Sequence, residues 1–174
     1  SKDLEKPLLI HSNSFVCDKE LNIKKEKFIN DCAKSSEFDV CFFNYIVQGS
    51  TVLINRKLLE LSLPFSSNVT VHDRYLHLLA EFLGKRKFLS QSLMKYRQHE
   101  NNKIGANYSI IKKILKKRYF NDEDRKLILE IKNKYGKKIS KEKIEKIEKY
   151  LKVTDMNTNK FIRFYKSFEF KMNK

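Results

Sequence analysis

Apolar residues recur along this chain with two different periods, and the change from one to the other divides it. In PLLIHSNSFVC (7–17) two short apolar runs flank a Ser-Asn pair, a pattern that reads as two strands split by turn chemistry. FNYIVQGSTVLINR (43–56) offers a further strand at the β-branched STVLIN, with Gln48 and Gly49 just before it. A glycine in that position suggests a bend or a close backbone approach. LLELSLPF (58–65) reads as a short helical turn stopped by Pro64. HDRYLHLLAEFLGK is then a helix in which Tyr75, Leu76, Leu79, Phe82 and Leu83 follow the 3.6-residue period and Gly84 supplies a C-cap. KFLSQSLMKYR provides one or two more strands. Strand and helix alternating in this way predict a layered α/β or α+β arrangement rather than a bundle.

From about Asn107 the pattern is helical throughout. YSIIKKILKKRYF places Ile111, Ile114 and Leu115 on one face. Asn121 is the expected cap of the next helix, with Asp122, Glu123 and Asp124 in its first turn and Gly136 at its end. Ser140 is the expected cap of a third, flanked by an Ile139–Ile144 hydrophobic staple and followed by Glu142–Lys146 and Glu145–Lys149 pairs. NKFIRFYKSFEFK sets Phe161, Tyr165 and Phe168 at helical spacing, a stripe that suits a core. Residues 1–106 and 107–174 therefore separate as a mixed domain and a basic, amphipathic helical extension.

Charge sharpens that division. The 174 residues carry a net charge of +16. Residues 1–106 hold 16 basic and 12 acidic side chains, a net of +4, and residues 107–174 hold 21 and 9, a net of +12. Most of the excess is lysine, whereas arginine is the preferred residue for bidentate contact with phosphate and base edges. A lysine-rich solvated helical surface explains the charge better than nucleic-acid binding, and a membrane surface or an anionic lipid carrier stands between the two as an alternative. A hydrophobic content of 41% argues for a folded domain. Three cysteines (Cys17, Cys32, Cys41) without a CxxC exclude a disulfide framework and a zinc cluster, and favour a reducing, cytoplasmic setting. No apolar run approaches the ~20 residues of a membrane span.

Candidate chemistry concentrates between residues 71 and 106. His72 and Asp73 open the apolar helix, where plain capping would account for the aspartate at about 1 kcal/mol. Tyr96, Arg97, Gln98, His99, Asn101 and Asn102 follow the last strand almost together. Arginine and histidine both suit anionic oxygens, and histidine also binds metals. No GxGxxG, P-loop, HExxH or GxSxG accompanies them.

Taken in order, PLLIHSNSFVCD (7–18), VQGSTVLINRKLLELSLPF (47–65), VHDRYLHLLAEFLGK (71–85) and FLSQSLMKYRQHENNKIGA (88–106) resemble the second half of the catalytic domain of family 2 glycosyltransferases, in particular bacterial rhamnosyl- and galactosyltransferase-like members. The resemblance covers a little over half the chain, and YRQHENNKIGA is its most specific motif. It implies a partial GT-A, Rossmann-like sheet with flanking helices and an all-helical C-terminal region. The implied activity is inverting transfer of a sugar from a nucleotide-sugar donor to a glycan or lipid-linked acceptor in bacterial surface polysaccharide synthesis. Asp73 is then the expected general base. Arg97 and His99 are expected on the loop that closes over the diphosphate, with His99 reaching a Mn²⁺ or Mg²⁺ ion. Gln48 and Gly49 are expected to line the donor sugar or acceptor cleft, with His72, Tyr96 and Asn102 around them.

Two departures from the family pattern stand out. The acidic pair that would hold metal and diphosphate has no counterpart in SKDLEKPLLI, and Ser12-Asn13 stands where the family usually carries Ser-Asp. The expectation is a C-terminal portion of such an enzyme, whether a piece, a split gene product or a degenerate copy, inactive alone and prone to self-association through an incomplete sheet. Alternatives are a non-catalytic complementing module and a basic nucleic-acid-binding protein. The expected location is cytoplasmic, with the basic tail able to meet the inner face of the membrane.

Overall fold

The computed structural model of the chain describes residues 5–29, 38, 47–98 and 122–155. The chain forms two units, one from Ser1–Phe65 with Val71–Arg118, the other from Ser66–Thr70 with Tyr119–Lys174.

A mixed sheet organises the first unit. Its central strand, β1 (Leu8–Cys17), is buried along nearly all its length, as a strand covered on both faces must be. β2 (Ile23–Lys25) and β3 (Val52–Ile54) pair with it antiparallel, β2 at Val16–Cys17 and β3 at Leu9–His11. β4 (Lys85–Arg97) runs parallel to β1 over its whole length, so β2 and β3 share the opposite edge, one near each end. Asn55 locks the start of this arrangement. Its Oδ1 accepts from Leu8 N and from Leu58 N, which caps α1 (Arg56–Ser62), and its Nδ2 donates to the Lys6 carbonyl.

The Ser-Asn pair expected to break residues 7–17 into two strands does not do so. Both residues lie inside β1, and the irregularity they cause is a register shift against β4 on either side of Asn13. Asn13 is 1% exposed and turns its side chain onto the loop after β2. Its Oδ1 accepts from Ser14 N, Phe28 N and Ile29 N, each at 3.0 Å, and its Nδ2 donates to Ile29 O at 2.8 Å. Turn chemistry of the side chain is spent on a distant segment, which leaves the backbone free to stay extended. KFLSQSLMKYR likewise forms one strand rather than two, and STVLIN yields only the three residues of β3 after a 3-10 turn at Gly49–Thr51.

α2 (His72–Leu83) lies in the core, and every residue from Arg74 to Phe82 is buried. Tyr75, Leu76, Leu79 and Phe82 occupy it as the period predicts, but the polar positions are enclosed too. Glu81 pairs with the Arg86 guanidinium and lies 3.5 Å from His77 Nε2, while Arg86 Nη1 donates to His11 Nε2 at 3.1 Å. A buried charge is costly unless paired, and here one carboxylate and one guanidinium compensate each other. The donated bond places the remaining imidazole proton of His11 on Nδ1. Burial, then the charges of Arg86 and His77, press the His11 pKa down to about 3, and burial takes His77 to about 4.

The second unit is built on α3 (Asp122–Tyr135) and α4 (Lys141–Val153). Leu127, Ile128, Ile131 and Tyr135 of α3 and Ile147, Tyr150 and Leu151 of α4 are buried, the helical stripes that the pattern calls for. Lys132 bridges to Glu148 at 2.8 Å, and the Glu142–Lys146 pair forms at 3.4 Å. Glu130 Oε2 accepts from Ser66 Oγ and Asn68 Nδ2, both at 2.7 Å, which explains why residues 66–70 belong to this unit. α3 ends at Tyr135 with Gly136 next to it, as expected, and Gly136 opens a 3-10 turn; Ser140 occupies the cap position without a side-chain bond. Asn121 and the patterns expected over YSIIKKILKKRYF and NKFIRFYKSFEFK lie outside the described residues. Among the described residues no helix is long and apolar enough to cross a membrane.

Candidate functional site

Two chain segments converge on Asp73. Val71 is the N-cap of α2, so Asp73 sits inside the first turn and does not cap the helix as its spacing suggested. Its Oδ2 instead accepts from the backbone N–H of Gly49 at 3.1 Å, joining the start of α2 to the turn before β3. A Cβ at residue 49 would lie 2.8 Å from His72 Nε2 and 3.2 Å from Asp73 Oδ2, so any larger residue there would push on the ends of these two side chains. The close approach expected of this glycine is thus present, and its neighbours are the His-Asp pair itself.

Gln48 is held from the other side. Ser14, fully buried on β1, donates its hydroxyl to Gln48 Oε1 at 2.8 Å. With Oε1 engaged by that bond, Nε2 is left as a donor. Gln48 Nε2 and Asp73 Oδ1 are both closed to solvent and have no hydrogen-bond partner among the described residues. Buried polar atoms are nearly always satisfied, so an orphan donor and an orphan acceptor on segments tied together by one hydrogen bond are an exception that a bound group would remove.

The other expected site residues are placed less centrally. Tyr96 stands opposite Val16 and meets the Phe28 ring edge-on at 5.7 Å, a packing role. Arg97 ends β4 opposite Cys17, three residues beyond the Ser14 rung and so roughly 10 Å along the sheet at the usual rise. His99 and Asn102 lie outside the described residues. The structure therefore unites Gln48, Gly49, His72 and Asp73, adds Ser14, and sets Arg97 at the sheet's end. Ser14 was missed because HSNS looks like a turn; four successive polar residues inside an otherwise apolar strand were the signal.

Among the described residues no three His, Cys, Asp or Glu side chains gather as a cation site. These residues do not by themselves fit the Mn²⁺ or Mg²⁺ that the family resemblance implies, and no chemistry is assigned to a metal. No family model, no curated protein and no solved structure matches this chain.

Proposed function

We propose that residues 7–106 form the acceptor side of an inverting glycosyltransferase of the GT-A kind, with Asp73 as its general base. The observation that carries this reading is the split role of the Asp73 carboxylate, whose Oδ2 is held by Gly49 N–H while Oδ1 has no partner among the described residues. A base needs one fixed and one available oxygen. The acceptor hydroxyl gives its proton to Oδ1 as its oxygen forms a bond to the anomeric carbon of the donor sugar. The bond from that carbon to the diphosphate breaks on the opposite face, and its electron pair leaves with the nucleoside diphosphate. One displacement inverts the configuration. Arg97 contributes positive charge toward the leaving group, in keeping with the resemblance of YRQHENNKIGA to the diphosphate loop. The acceptor must enter by opening the site, because Oδ1 is shut from solvent.

That closure also favours a second reading, a non-catalytic module in which Asp73 simply pins the Gly49 turn to α2. One pair of variants separates them. Asp73→Asn keeps an acceptor oxygen for Gly49 N–H, whereas Asp73→Ala removes it. Sugar transfer from UDP-, dTDP- and GDP-hexoses to a glycan array, read by mass spectrometry, should fall about a hundredfold or more in Asp73→Asn with folding unchanged. Transfer by Asp73→Asn at the unsubstituted rate would sink the base assignment. The assay is run with the chain joined to a nucleotide-binding half of the GT-A kind, because the chain by itself is expected to be inactive; no transfer by that completed enzyme would point to the module.

A further inference from the structure

The connector between α3 and α4 gathers positive charge that the fold does not use. Lys134, Lys137, Lys138 and Lys141 fall within eight residues and are all exposed. Lys134 rests over the Tyr135 ring at 5.1 Å. Among the described residues Lys137, Lys138 and Lys141 have no ion-pair partner, and three of the nearby acids are engaged elsewhere. Glu148 holds Lys132, Glu142 holds Lys146, and Glu130 accepts from Ser66 and Asn68. Lys141 opens α4, the end of a helix where the dipole disfavours a cation. Local stability would favour an acid there.

We infer that this connector docks on an anionic lipid surface, independently of the transfer reaction. The chemistry selects a bilayer over nucleic acid. Residues 122–155 contain ten lysines and a single arginine, so the fork that reads phosphate and base edges is nearly absent. Tyr135 and Tyr150, the aromatic side chains of α3 and α4, are buried and offer no stacking platform for bases. Point charges exposed on a short turn match instead the diffuse negative potential of a membrane face, which attracts each lysine separately and without a fixed geometry.

The test uses the full chain in sedimentation with sucrose-loaded vesicles of phosphatidylcholine alone or with a third phosphatidylglycerol. Binding should need the anionic lipid and weaken as salt rises. The Lys137→Gln, Lys138→Gln, Lys141→Gln triple variant should lower the partition coefficient roughly a hundredfold, at about fivefold per lysine. A control triple of exposed lysines in the first unit (Lys27→Gln, Lys57→Gln, Lys87→Gln) removes the same charge and should lose far less. Far-ultraviolet circular dichroism checks that both remain folded. Equal loss in the two triples, unchanged binding of the connector variant, no binding by the unsubstituted chain, or tighter binding to duplex DNA than to anionic vesicles would each overturn the inference.

Discussion

Replacing Gly84 by alanine should cost the first unit about 3 kcal/mol, and the reason is not the one its position suggests. Gly84 follows α2 as its C-cap, yet its φ of −151° is not the left-handed conformation for which glycine is usually chosen there. Its necessity comes from Pro7. A Cβ on residue 84 would stand 1.9 Å from Pro7 O and 2.7 Å from Pro7 C, both backbone atoms, where ordinary contact begins near 3.4 Å. About 1.5 Å must open between two segments joined at that point by the 2.9 Å bond from Lys85 N to Pro7 O. Overpacking of that kind costs about 2–3 kcal/mol. The lost bond adds about 1–2 kcal/mol, and the stiffer unfolded chain returns about 0.5–1 kcal/mol. With a denaturant dependence of about 2 kcal/mol per molar urea, the midpoint followed by circular dichroism should fall by about 1.5 M. Gly136→Ala is the control, since its Cβ would meet nothing nearer than Ile144 Cδ1 at 4.0 Å. That variant should hold or slightly raise stability. A Gly84→Ala midpoint within about 0.3 M of the unsubstituted chain would refute the clash as the reason for the glycine.

Asn13→Ala removes four hydrogen bonds at a residue 1% exposed and should destabilise by about 3–4 kcal/mol in the same assay. Asn13→Asp keeps the three accepted bonds but sets a carboxylate oxygen against Ile29 O, so it should fall between alanine and the unsubstituted chain; stability of Asn13→Ala equal to the latter would dismiss the clamp. His11 and His77 take a proton with pKa values of about 3 and about 4 when folded, against 6.5 when not. The unfolded chain therefore binds more protons, stability is full above about pH 6.5, and it declines as the pH drops toward 4. Urea midpoints that stay level from pH 7 to about 4.5 would contradict the burial of these neutral imidazoles.

The Asn13 clamp also accounts for the amide at this position. Its nitrogen meets a backbone carbonyl at 2.8 Å while its oxygen accepts from three N–H groups. Only a group that both donates and accepts satisfies that position, and a carboxylate does not.

Local pattern was enough for some elements and not for others. The 3.6-residue spacing of Tyr75, Leu76, Leu79 and Phe82, the Asp-rich opening of α3 and the staple around Ser140 announce helices, because those signals are written within one or two turns of the element itself. The same nearness made Asp73 a visible candidate and Gly49 a visible close approach. Which atoms they would meet was not legible. Asp73 and Gly49 are 24 residues apart, Ser14 and Gln48 are 34 apart, and Pro7 and Gly84 are 77 apart. The parallel pairing of β1 with β4 brings Pro7 to Gly84, the antiparallel pairing of β1 with β3 carries the Gln48–Gly49 turn toward Ser14, and hydrogen-bond partners at such separations leave no periodic trace. The polar face of α2 shows the same limit. Nothing in the spacing of Arg74, His77 and Glu81 announced that they are buried, and the approach of Arg86 and His11 from two strands supplies Glu81 with its charge partner and closes the network.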